Sequence, residues 1–105
     1  IPTAPGSASA TGMTSTLVFV HWTDAFDNET PARNLHYRLY AARQKDNLVS
    51  ASNWMMEVRG NTAGSFQREV DVSALLAGGG TDKVVHVAIV AIDSDGNEGQ
   101  PAYLH

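Results

Sequence analysis

Leu35-His36-Tyr37-Arg38-Leu39-Tyr40-Ala41 is the stretch on which the fold turns. Successive side chains of an extended chain point to opposite faces. Leu35, Tyr37, Leu39 and Ala41 therefore share one face, and His36, Arg38 and Tyr40 share the other. A helix would need its apolar residues three and four apart, so the alternation predicts a strand. The same period runs through Thr16 to Trp22, with Val18, Val20 and Trp22 on one face and Leu17, Phe19 and His21 on the other. Phe66 to Val72 alternates in the same way, with Gln67, Glu69 and Asp71 as its wet side. Val84 to Ile92 is a longer β-branched run, apolar on both faces apart from His86.

Weaker strands are expected at Ser7 to Gly12, Asn53 to Val58 and Pro101 to Leu104. Between the strands lie Asp27-Asn28 with Pro31, Gly60-Asn61, Gly78-Gly79-Gly80 and Asp95-Gly96-Asn97. These residues tolerate positive φ or pre-set a turn. Helix is expected only over Asp71 to Leu76, as a short turn capped by Ser73. About seven short strands separated by such turns predict an all-β fold, a seven-stranded antiparallel sandwich.

Composition narrows the function classes. The chain has 105 residues, enough for one domain and too few for two. Its formal charge is −4 and its seven basic residues form no run, which argues against nucleic acid as a partner. With no cysteine, thiol nucleophiles, thiolate metal sites and disulfides are excluded together. No stretch approaches the roughly 20 apolar residues of a membrane span, so membrane insertion is not expected. The opening Ile1-Pro2-Thr3-Ala4-Pro5-Gly6 reads as an extended linker, residues 1–6, ahead of a domain over residues 7–105.

The order of landmarks then carries a resemblance. Trp22 closes the second strand and is followed by Thr23-Asp24-Ala25-Phe26-Asp27-Asn28-Glu29-Thr30-Pro31. Next come Leu35-x-Tyr37-x-Leu39-Tyr40, Val72-Ser73-Ala74-Leu75, and Val87-Ala88-Ile89-Val90-Ala91-Ile92-Asp93 running into Asp95-Gly96-Asn97. From about Pro5 to Leu104 the chain resembles a bacterial fibronectin type III domain, an immunoglobulin-like β-sandwich. The family's pattern has a Trp on strand B, a Tyr on strand C, a Leu after strand E and an A-x-D-x-x-G-N ending to strand F. The chain departs from it at Val85, where the family carries a strand F tyrosine. The resemblance implies a non-catalytic spacer or domain-positioning module of a larger secreted or cell-surface protein. Its expected partners are neighbouring domains of the parent polypeptide or another protein.

In such a fold the B–C and F–G loops share one pole, which would gather Asp24, Asp27, Asp93, Asp95 and Asn97. Oxygen donors converging from two loops are what calcium needs, so these five residues form the candidate metal site. The competing reading is that they bond their own backbone and hold the turns shut. The alternative function that follows is a ligand-binding module, calcium-dependent or adhesive toward carbohydrate or protein. It would use those loops, or Trp54 and Tyr40. Trp54-Met55-Met56 is otherwise read as core or sheet-edge packing.

No other cofactor is expected. His21, His36 and His86 point outward from two different sheets and His105 lies at the tail, so no three meet around zinc. No G-x-S-x-G elbow and no phosphate-cradling loop is present, and no enzyme activity is expected. The anomaly is apolar residues on outward faces: Leu17 and Phe19 on the second strand, Tyr40 on the third, and Val90 and Ile92 on the sixth. An exposed apolar patch marks an interface, so these five are the candidate contact residues.

Overall fold

A computed structural model describes residues 1–13, 16–60, 63–76 and 85–104 of the chain. The expected Gly78–Gly80 turn, Asn61, Val84 and His105 lie outside the described residues. The strands are β1 (Gly6–Met13), β2 (Leu17–Thr23), β3 (His36–Ala42), β4 (Trp54–Arg59), β5 (Ser65–Asp71), β6 (His86–Ile92) and β7 (Ala102–Leu104). Each falls within a residue or two of its expected position, because a two-residue period locates a strand well. They form two antiparallel sheets, ordered β1-β2-β5 and β4-β3-β6-β7 among the described residues. The chain is an all-β sandwich.

The core between the sheets is built from the inward residues the alternation nominated. Val18, Val20 and Trp22 of β2 and Phe66 and Val70 of β5 meet Tyr37 and Leu39 of β3 and Val87, Ile89 and Ala91 of β6. Trp22 stacks on Phe66 with centroids 5.1 Å apart, and the Tyr37 ring tilts against both, at 5.7 and 4.8 Å. Offset and tilted aromatic pairs add to the burial of their area, and this trio ties one sheet to the other.

The single-turn helix α1 (Ser73–Leu76) is present, but its cap is not Ser73. Ser73 is its first residue, and its N–H donates to Asp71 Oδ1 at 2.9 Å. That bond lowers the Asp71 carboxyl below its ordinary pKa.

The outer face of the four-stranded sheet corrects the expected interface. Tyr40, Val90 and Ile92 are not exposed: Tyr40 is 5% and Val90 1% accessible, and Ile92 is buried as well. They belong to a second apolar cluster with Ala42, Leu48 and Ala88, with Val49 packed against it. The chain between β3 and β4 folds back over the sheet and lays Leu48 on it. Asn47 takes a positive φ of 56°, and Asn53 Nδ2 donates to the carbonyls of Asn47 and Leu48 at 3.0 and 3.1 Å. The Ser50 N–H donates to Leu48 O at 3.0 Å. Leu17 and Phe19, on the other sheet, are half-buried. Phe19 borders a shallow depression of about 290 Å³ together with Gln67, Arg68 and Glu69.

The opening residues are docked on the domain. Thr3 N–H donates to Phe26 O at 2.7 Å, and Phe26 N–H donates to Thr3 Oγ1 at 2.9 Å. Pro2 and Pro5 are buried. The segment lies so close to Gly99 that a Cβ there would clash with the Pro2 carbonyl oxygen.

Candidate functional site

The loop pole exists, but it does not assemble the expected calcium ligands. The two loops touch through Thr30 and Ser94, whose hydroxyls are 3.3 Å apart. The carboxylates nearby are engaged one at a time. Asp24 Oδ1 accepts the Tyr37 hydroxyl at 3.2 Å. Asp27, almost buried, has its Oδ1 3.5 Å from the Ile1 nitrogen.

Asp93 closes its own turn. Its Oδ1 accepts the N–H groups of Asp95 and Asn97 at 3.0 and 2.8 Å, and its Oδ2 accepts Asn97 Nδ2 at 3.1 Å. The Asp93 N–H donates to Asn97 O, and Gly96 N–H to Asp93 O. The turn needs Gly96 at a φ of +88°, a region L side chains avoid. Desolvation pushes the Asp93 pKa up, but the Asn97 N–H and amide and the Asp95 N–H outweigh it and hold the carboxyl below its ordinary value. Among the described residues no three His, Asp or Glu side chains converge to hold a metal. The expected calcium shell of Asp24, Asp27, Asp93, Asp95 and Asn97 is therefore corrected: Asp24 holds Tyr37, Asp93 accepts from Asn97 and from the Asp95 N–H, and the carboxylates do not converge on a common point.

The built surface lies elsewhere, on the outer face of β3 and β4. Here the Trp54-Met55-Met56 reading divides. Met56 packs against the inner core, whereas the Trp54 indole stands 54% exposed. The reason is a register shift between Leu39 and Tyr40, which pairs Tyr40 with Trp54 and breaks the alternation of β4. Arg38 lies over the Trp54 ring with its guanidinium carbon 5.9 Å from the centroid, within cation–π reach. Arg38 also donates from Nε to Glu57 Oε1 at 3.3 Å and from a terminal nitrogen to Glu98 Oε1 at 3.4 Å. Desolvation works against its charge, but Tyr40 and Glu57 outweigh it and raise its pKa further.

Two grooves open on this face and share Arg38. The first, about 320 Å³, has Trp54 as a wall, Tyr40, Val49 and Ala51 as apolar lining, and Ser50 and Glu98 at its edges. The second, about 650 Å³, runs past His36, Arg33 and Arg59 to Ser94 and Gly96. Three of the chain's seven basic residues line it, in a chain whose formal charge is −4. His36 Nδ1 stands 3.9 Å from Glu57. Arg33 and Arg59 are exposed, and neither side chain takes part in a hydrogen bond or ion pair among the described residues.

The sequence points to Trp54 and to Tyr40 beside Arg38, but sequence reasoning does not reach Arg33 and Arg59. The signal available was the outward parity of Arg38 and Arg59 on adjacent strands. No model of a known protein family matches the chain, and no curated protein matches its sequence.

Proposed function

We propose that the chain is a non-catalytic structural and interaction module of the fibronectin type III kind, a domain-positioning unit of a larger secreted or cell-surface bacterial protein. The strand order supports this reading: β1-β2-β5 facing β4-β3-β6-β7 corresponds to the A-B-E and C′-C-F-G sheets that the resemblance implies. The Trp22, Tyr37 and Leu75 landmarks fit it as well. Trp22 and Tyr37 sit in the inner core, and Leu75 packs against it.

The observation that carries the proposal is the clamped opening segment. A module that only tethers its neighbours needs a loose connection. Here the reciprocal Thr3–Phe26 bonds and the close fit of Pro2 against Gly99 fix the direction in which the chain arrives. What precedes the domain is then held at a set angle over the loop pole. The test is ¹⁵N relaxation on the parent polypeptide. Shared tumbling of this domain and the preceding unit is expected, and independent tumbling would overturn the proposal.

A second reading, a ligand-binding module, is favoured by one observation, the exposed indole of Trp54 beside charged grooves. It moves the binding surface away from the B–C and F–G loops and needs no calcium.

A further inference from the structure

We infer that the outer face of β3 and β4 is a binding site for an acidic oligosaccharide, a chain carrying uronic-acid carboxylates. The inference rests on the reading of the domain as a non-catalytic interaction module, and it names that module's ligand class.

The argument starts from what the face leaves unspent. Trp54 offers a flat apolar surface to solvent, and an exposed aromatic with polar neighbours suits a ligand that is apolar on one side and hydroxylated on its rim. Arg33 and Arg59 offer planar forks of N–H donors without partners among the described residues, and such forks match carboxylates bidentately. Arg38 joins the two grooves and is held in place by Trp54, Glu57 and Glu98. Trp54 and Arg59 are five residues apart on one strand, roughly 17 Å at the usual rise, so the site is laid out for an oligomer.

The carboxylates on the same face decide between ligand classes. Glu57, Glu98 and Asp93 all border the grooves. They would repel a peptide dense in Asp and Glu, since like charges brought together are unfavourable. Toward a sugar, Glu57 and Glu98 act as acceptors for hydroxyl donors, while Asp93 is turned into its own loop. A ligand with many hydroxyls and spaced carboxylates fits both halves of the pattern.

The experiment is titration of the chain with tetrameric galacturonate, glucuronate and mannuronate, with a neutral glucose tetramer and hexaglutamate as comparisons. Trp22 is fully buried, so a ligand-induced change in indole emission reports Trp54. At least one uronate is expected to shift the Trp54 emission and the Arg33 and Arg59 Nε resonances. It should bind at least tenfold more tightly than the neutral tetramer and weaken as salt rises. Trp54→Ala and Arg59→Gln should each weaken binding at least tenfold without lowering the melting temperature, since both side chains stand outside the cores.

Failure of all three uronates to bind overturns the inference, as does binding that both variants leave unchanged. Equal binding of the neutral tetramer overturns it too, and tighter binding of hexaglutamate assigns the face to an acidic peptide instead. A uronate that bound and was then cleaved would sink the non-catalytic reading and leave the site standing. The two failures are therefore distinct.

Discussion

The Tyr37 hydroxyl donates to Asp24 Oδ1 at 3.2 Å and accepts the Ala25 N–H at 3.0 Å. A residue of the aromatic core thus ties down the first residues after β2. Tyr37→Phe keeps the ring packing and leaves the buried Ala25 N–H without its acceptor. The expected loss is about 1–3 kcal/mol, read as a lower urea midpoint with an unchanged m-value.

The same hydroxyl sets an alkaline limit. Burial, followed by the charge and hydrogen bond of Asp24, moves its pKa up to about 12, against the lowering effect of the Ala25 N–H. Unfolded tyrosine ionises near 10. Between those values the unfolded chain releases a proton that the folded chain retains. Stability is therefore full below about pH 10 and falls as the pH rises toward 12. Melts across that window should show the fall in the native chain and a shallower one in Tyr37→Phe.

Two carboxylates act at the other end of the scale. Asp71 and Asp93 have pKa values held below the ordinary aspartate value. Their contribution is present above that value, near pH 4, and is lost as the pH falls through the lower folded values. Asp93→Ala should lower the melting temperature at neutral pH, because the Asp95 and Asn97 N–H groups lose their acceptor. It should also flatten the acid limb, as followed by circular dichroism between about pH 5 and pH 2.

Millimolar calcium, compared with chelator, should leave the melting temperature unchanged. A ligand selective for the native state raises stability by mass action, and among the described residues no three carboxylate or imidazole side chains converge to hold the ion. A shift of several degrees would show that the 93–97 turn opens to bind metal.

Leu48→Ala tests the second apolar cluster. Leu48 is 2% accessible, and truncating a buried leucine costs about 2–5 kcal/mol. Phe26→Ala, at a side chain left largely exposed, should stay within about 0.5 kcal/mol. Chemical denaturation of the two variants side by side gives the comparison.

The two-residue period made the inner half of the sandwich legible. Val20, Trp22, Tyr37, Leu39, Phe66 and Ile89 all sit where alternation places them. The outer half was hidden because parity says which face a residue takes, not what lies above that face. Tyr40, Val90 and Ile92 were assigned correctly to the outer face, and Leu48-Val49 came from a polar connection to cover them. Those two apolar residues after Arg43-Gln44-Lys45-Asp46-Asn47 were the available signal. The loop pole misled for a related reason. Spacing brings carboxylates to one end of a fold, but hydrogen bonds such as those closing the Asp93 turn decide whether they face a common point. The exposure of Trp54 is not legible in the sequence, because the register shift that turns its indole outward is set by how β3 and β4 pair and not by either strand alone.

The cover over β6 has a practical consequence for anyone reusing this scaffold. Residues 43–53 join two neighbouring strands and look like a place to graft a foreign peptide or vary sequence in a display library. They are instead one wall of an apolar layer, with Leu48 resting among Tyr40, Ala88 and Val90. A graft that omits a leucine at that point strips a strand buried on both sides. The result would be a sticky sheet rather than a new binding loop.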